Sequence, residues 1–183
     1  MTLYQNKYRV ESAWLQGWNY STPGWYFVTM CVRNHACSFG KITNSNMQLS
    51  AAGRVAKSEL LKLQIHYQDI SIDRFVVMPN HAHMIVMIAG EHRFSPTPQI
   101  SADPCAGVGL IVLSPKSVSL STIVGSYKAG VTRLCREKGL DFAWQPRFHD
   151  HIIRTDASLN AIRDYIENNP ANWSQDQENQ NRL

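Results

Sequence analysis

The chain has 183 residues, 44% of them apolar, and a formal net charge of +4. That length suits one domain, residues 1–183, with its own core, and the composition excludes a disordered chain. No apolar run approaches the ~20 residues needed to span a bilayer, and Met1 to Val10 is polar, without the apolar centre of a secretion signal, so no membrane partner and a cytoplasmic location are expected.

The modest positive charge permits a nucleic-acid partner without requiring one. The cysteines, Cys31, Cys37, Cys105 and Cys135, form no C-x-x-C pair. That spacing argues against a structural zinc site, and scattered thiols of this kind are expected to be reduced.

In chain order, residues 1–20 carry Tyr4, Tyr8, Trp14, Trp18 and Tyr20 without a clean period and read as an irregular aromatic arm. Trp25 to Val32 is β-branched and aromatic, which predicts a strand. Gly40 to Leu49 reads as a loop. Ser50 is a plausible cap for a helix to about Tyr67, because Ala52, Ala56, Leu60, Leu63 and Tyr67 recur every three or four residues. Ile70 to Met78 and His81 to Ile88 are two strand-like runs around Pro79-Asn80, a tight-turn pair, and so form a hairpin. Residues 90–119 hold Pro96, Pro98, Pro104 and Pro115 and read as a long flexible connection, with Val108 to Leu113 as a candidate edge strand. Leu120, Ile123, Val124, Tyr127, Val131 and Leu134 mark a second helix, capped by Ser119 or Ser121. Arg147 to Arg154 is a fourth strand. Asp156 or Ser158 opens a third helix with Leu159, Ile162 and Ile166 inward, ended by Pro170. A polar tail, 174–183, is expected to fray. The order predicts an α+β fold: a ferredoxin-like β-α-β-β-α-β antiparallel sheet, helices on one face, and an appended C-terminal helix.

Two places carry chemistry. His81 and His83 alternate along a strand, so both imidazoles face one side, roughly 6–7 Å apart, near enough to share a metal ion. Such a pair is also common as a structural or surface feature. Tyr165 and Asn169 are four residues apart and share a helix face, which offers a hydroxyl nucleophile and a neutral oxygen ligand. A core tyrosine and a helix-terminal asparagine would look the same.

Several ordered stretches together are more specific. The hairpin FVVMPNHAHMIVMI (Phe75 to Ile88), WQPRFHDHIIR (Trp144 to Arg154), IRDYIENNPANW (Ile162 to Trp173), NKYRVESAWLQGWNYSTPGWYFVTMCV (Asn6 to Val32) and GSYKAGVTRL (Gly125 to Leu134) resemble the REP-associated tyrosine transposases, a group of single-tyrosine HUH transposases. His81-Ala82-His83 stands at the histidine-apolar-histidine motif. The resemblance covers most of the chain outside 90–119. It implies an HUH fold in which the appended helix carries the nucleophile Tyr165, and a metal, Mg²⁺ or Mn²⁺, held by His81, His83 and Asn169. It also implies a 5′-phosphotyrosine intermediate and REP-type single-stranded DNA hairpins as substrate. His149 departs from the aromatic residue expected at its place.

Two imidazoles and an amide bring no charge, so weak metal binding is expected until a DNA phosphate joins; imidazole suits Mn²⁺ better than Mg²⁺. A phenol with an ordinary pKa near ~10 must be activated at neutral pH. The neighbouring Asp164 points away along the helix. Candidate DNA contacts are Lys128 and Arg133 on the second helix, for which a solvated helix face is the equal alternative, and Arg147, His151 and Arg154, which flank the proposed site on the fourth strand. Trp144, Phe148 and Trp173 either stack on bases or pack the domain. Two rivals remain: a metallohydrolase built from His81, His83, His149 and His151, and a non-catalytic hairpin-binding regulator. The shortness of the tail beyond Trp173 favours a monomer over an arm-swapped dimer.

Overall fold

The structure is a computed structural model that describes residues 18–89 and 118–179 and the backbone of two short strands, β1 (Leu3–Tyr4) and β2 (Tyr8–Arg9). Most of the aromatic arm and nearly all of the 90–119 connection, including Val108 to Leu113, lie outside the described residues.

Four strands form the central sheet: β3 (Gly24–Cys31), β6 (Ile70–Val77), β7 (His81–Ile88) and β8 (His149–Ile153). Their spatial order is β6-β7-β3-β8, and every pairing is antiparallel. With α1 (Ala51–His66) between β3 and β6, and α2 (Leu120–Glu137) between β7 and β8, this is the ferredoxin-like plan. The third helix, α3 (Asp156–Asn168), follows β8. No helix among the described residues is long and apolar enough to cross a membrane.

Period-two alternation gives the sheet two different faces. Tyr26, Val28 and Met30 of β3 and Ala82, Met84, Val86 and Ile88 of β7 pack with Ala56, Leu60 and Leu63 of α1 and Ile123, Val124, Tyr127 and Val131 of α2. The opposite face carries a smaller cluster, in which Ile85 and Ile153 meet Leu159 and Ile166 of α3, with Trp25, Phe27, Val76 and Ile162 around them. The helices therefore do not all share one face: α3 covers the side that α1 and α2 leave open. β7, central and covered twice, is buried along almost its whole length.

Local chemistry explains the helix starts. Ser50 accepts from Gly53 N–H at 3.1 Å, Ser119 from Thr122 N–H at 3.2 Å, and Thr155 from Ser158 N–H at 3.2 Å. The cap of α3 is thus Thr155, one residue before Asp156. The stretch 40–49 is not a loop but a hairpin, β4 (Gly40–Thr43) with β5 (Asn46–Leu49). Asn44 and Ser45 turn it with φ of 50° and 60°, the left-handed pair that a two-residue hairpin requires. Four-residue strands of mixed polarity carry too little alternation to be read from sequence.

A β-bulge interrupts β6 between Ile72 and Arg74. The extra residue, Asp73, grips Arg163 of α3 through two bonds, 2.7 Å to Nε and 2.8 Å to Nη2. This bidentate pair holds the Asp73 carboxyl below its ordinary pKa and fixes α3 against the sheet edge.

Two of the helical glycines, Gly53 and Gly125, should respond in opposite ways. A methyl on Gly53 collides with the Phe39 carbonyl oxygen, whereas one on Gly125 meets nothing. Gly53→Ala is expected to cost about 1–3 kcal/mol and Gly125→Ala to stabilise by up to about 1 kcal/mol, both read from the midpoint of denaturant unfolding.

Candidate active site

His81 and His83 lie on the α3 face of β7, with ring centroids 4.4 Å apart, and both are fully buried. The Nδ1 atom of each is occupied. His81 Nδ1 lies 2.8 Å from Asn80 Oδ1. Asn80 also donates from Nδ2 to the Glu178 carbonyl at 2.8 Å, which fixes its amide so that Oδ1 faces the ring. An amide oxygen only accepts, so His81 carries its proton on Nδ1 and leaves a lone pair on Nε2. That Nε2 is buried and has no hydrogen-bond partner among the described residues. His83 Nδ1 is 2.9 Å from Thr29 Oγ1, its cross-strand neighbour on β3. Phe27 stacks on the His83 ring at 5.1 Å.

Burial keeps both imidazoles neutral. It pulls His81 down to about 4 from the ordinary 6.5, although Asp176 and Glu178 favour the charged form. His83 is driven well below its ordinary value by burial and then by His81. Neutral rings with free lone pairs are the form in which histidine ligates metal.

α3 delivers the other half. Leu159 and Ile166 anchor its inner side, Tyr165 reaches His83 from beside that apolar stripe, and Asn169, which caps the helix, bonds to Asp176. The Tyr165 hydroxyl is 3.3 Å from His83 Nε2 and 3.4 Å from Asp176 Oδ2. Its side is 43% exposed, so the phenol faces the buried histidines and solvent together. Partial burial, and next the charge of Asp176, push its pKa up to about 12.

Asp176 is the residue that sequence reasoning missed. A short 3₁₀ turn, Trp173–Gln175, folds residues 174–179 of the polar tail back over the site. Asp176 is buried there, accepting from Asn169 Nδ2 at 2.9 Å and from Glu178 N–H at 2.7 Å. His81, His83 and Asp176 offer ligand atoms that all lie within 4.8 Å of one another. The Asn169 amide oxygen is a second buried acceptor without a partner among the described residues. Two imidazole lone pairs, a carboxylate and an orphaned amide oxygen fit a divalent cation. With Asp176 among the donors, such a group would bring a negative charge that His81, His83 and Asn169 by themselves lack.

The remaining candidates separate by face. Lys128 Nζ donates to the carbonyls of Gln145 at 2.6 Å and Arg147 at 2.7 Å, and lies over Trp144 at 5.5 Å. It clamps the segment before β8 rather than standing open to phosphate. Arg133 pairs with Glu137 at 2.8 Å on α2, which packs on the sheet face away from the imidazoles. Trp144 packs with Phe39, Phe142 and Tyr127, and Phe148 packs on the same core; neither is an open stacking platform. Trp173 lies 6.1 Å from His81. On β8, His149 pairs with Thr29 and His151 with Phe27, so both occupy the site face. Neither joins the clustered donors around His81 among the described residues, which removes the support for a four-histidine hydrolase. Arg147 is exposed with φ of 65°, and the exposed Arg154 lies 5.9 Å from the Trp18 ring. Asp164 is exposed, as its place on the helix predicts.

No protein-family model matches the chain. A protein of Haemophilus influenzae Rd, described only as uncharacterised, is 36% identical over 166 residues, covering 89% of each chain. The two belong to one family. Among solved structures, a REP-associated tyrosine transposase bound to a REP hairpin superposes with a TM-score of 0.53 at 22% identity, covering 87% of this chain and 74% of that one. The fold is that of a REP-associated tyrosine transposase. Within this transposase fold the four-stranded sheet presents the histidine pair and α3 presents the tyrosine.

Two outcomes test the site. With metal chelated, the unfolded chain takes up protons at its histidines below pH 6.5, whereas folded His81 resists protonation down to about 4. Stability should therefore fall as pH drops through that window, and His81→Gln should flatten the slope measured by denaturant unfolding. Asp176→Asn should weaken Mn²⁺ binding, followed by electron paramagnetic resonance, at least about 10–100-fold.

Proposed function

We propose that the protein is a metal-dependent single-strand DNA transferase that cuts and rejoins REP-type hairpins through Tyr165. The observation that carries this reading is the Tyr165 hydroxyl, 3.3 Å from His83 Nε2 and 3.4 Å from Asp176 Oδ2, half open to solvent above a buried imidazole pair. A nucleophile that touches a ligand cluster and still faces outward is what attack on a bound phosphodiester needs.

His81, His83, Asp176 and Asn169 would hold Mg²⁺ or Mn²⁺. When bound, the cation supplies positive charge to a non-bridging phosphate oxygen. The chain's own groups do the rest. Asn80 and Thr29 orient the two rings through Nδ1. Tyr165 donates its proton towards the Asp176 carboxylate and bonds to phosphorus in line with the departing 3′-oxygen. The P–O3′ bond breaks, the leaving oxygen takes a proton, and the 5′-phosphate stays on the tyrosine. The aryl phosphodiester retains the energy of the bond it replaced, so a new 3′-hydroxyl reverses the step without a nucleotide triphosphate. On the protein side, the assigned phosphate contacts are Arg147, beside the His149 end of β8, then His151 and Arg154. Lys128 and Arg133 are left out because of their pairing and face.

The test mixes protein, Mn²⁺ and an end-labelled single-stranded hairpin. A denaturation-resistant protein–DNA adduct is expected, and Tyr165→Phe should abolish it. His81→Ala should reduce cleavage more than hairpin binding. Cleavage that persists in Tyr165→Phe would mean a water nucleophile, and hairpin binding without adduct in the wild type would favour the regulator.

A further inference from the structure

A second group of donors sits behind the site. Cys31, His35 and Glu178 offer a thiol, an imidazole nitrogen and a carboxylate oxygen that lie within 4.8 Å of one another. Cys31 ends β3 opposite His81, but the cluster uses none of the four groups around the proposed cation. We propose that Cys31, His35 and Glu178 form a separate site for a thiophilic dication of the Zn²⁺ class, with a fourth position open to water.

The distances carry the proposal. Around tetrahedral zinc, with bonds of ~2.3 Å to sulfur and ~2.0 Å to nitrogen or oxygen, adjacent donors stand about 3.5 Å apart for S and O and about 3.3 Å for N and O. Glu178 Oε2 is 3.4 Å from Cys31 Sγ and 3.4 Å from His35 Nδ1. Two edges of such a polyhedron are thus in place, one of them as a hydrogen bond from the Cys31 thiol that binding would replace. His35 Nδ1 is buried and makes no hydrogen bond among the described residues. Cys31 is buried as well.

Each donor is anchored on its own segment. His35 lies in the 3₁₀ turn Arg33–His35, where Asn34 and His35 both take left-handed φ, 56° and 50°. That turn is tied down by Arg33 N–H to the Ala143 carbonyl at 2.9 Å and His35 N–H to the Val32 carbonyl at 3.0 Å. Glu178 is held by its own N–H on Asp176 Oδ1 and by its carbonyl on Asn80 Nδ2. Two uncommon left-handed residues in succession are a cost that the chain tolerates while aiming an imidazole at a thiol.

The thiolate selects the ion. Sulfur and imidazole favour Zn²⁺ or Co²⁺ over Mg²⁺, so this site and the Tyr165 site would take different metals. Binding transfers the thiol proton to solvent as the Cys31 Sγ–metal bond forms. Because Glu178 is two residues from Asp176, the ion would clasp the C-terminal segment to the 3₁₀ turn and hold Asp176 over the histidines.

Co²⁺ added to the reduced full chain tests this without DNA, so the result stands apart from the strand-transfer reading. A near-ultraviolet sulfur-to-cobalt charge-transfer band is expected in the wild type and in the His81→Ala/His83→Ala double variant. It should vanish in Cys31→Ser and persist in Cys37→Ser. Since Cys31 is buried and its variant can misfold, the partly exposed His35 gives the second measurement: His35→Ala should weaken cobalt binding at least about 10-fold. The proposal is overturned if the wild type shows no such band, if the band survives in Cys31→Ser, if it disappears with the His81/His83 pair, or if His35→Ala binds as tightly as the wild type.

Discussion

Everything at the site depends on two imidazoles kept neutral inside the protein, each with its Nδ1 committed to a hydrogen bond. Asn80 fixes His81 and Thr29 holds His83. Burial then makes the protonated forms costly, so each neutral ring keeps a lone pair, which on His81 lies at Nε2. A ring free to turn, or one that could take a second proton, would lose either the geometry or the lone pair. The depth of β7, covered on both faces, imposes both conditions at once.

The two faces of the sheet divide the work. α1 and α2 bury the large apolar cluster that stabilises the domain. α3 adds a small cluster of its own, and the bidentate Asp73–Arg163 pair at the bulge helps to set its position. A tyrosine on a helix with so few apolar anchors needs that extra fastening to stay within reach of His83. The C-terminal segment completes the enclosure: Asn80 touches the His81 ring with one end of its amide and the Glu178 carbonyl with the other, so ring orientation and tail position are linked.

Much of the fold was legible because it obeys simple periods. The alternation in His81 to Ile88, the apolar spacing in α1 and α2, and Pro79-Asn80 at the turn lead to strands, helices and the hairpin observed. The β4–β5 hairpin was not legible, since it rests on the left-handed turn at Asn44 and Ser45 rather than on any hydrophobic repeat. The side of the sheet taken by α3 was also hidden. A helical stripe says that one face is apolar, not which layer it meets.

For the candidate site, the chain by itself determined the local relations: His81 with His83 through the two-residue period of a strand, and Tyr165 with Asn169 through the turn of a helix. Only the tertiary structure decided that these pairs meet, that Lys128 and Arg133 are occupied elsewhere, and that Asp176 and Glu178 return to the sheet. The reason is physical. Spacing along the chain fixes directions within one element, whereas a polar tail after a proline has no period to announce a partner. Its place follows from two buried amide donors, Asn80 just before β7 and Asn169 at the end of α3, which find acceptors when it folds back.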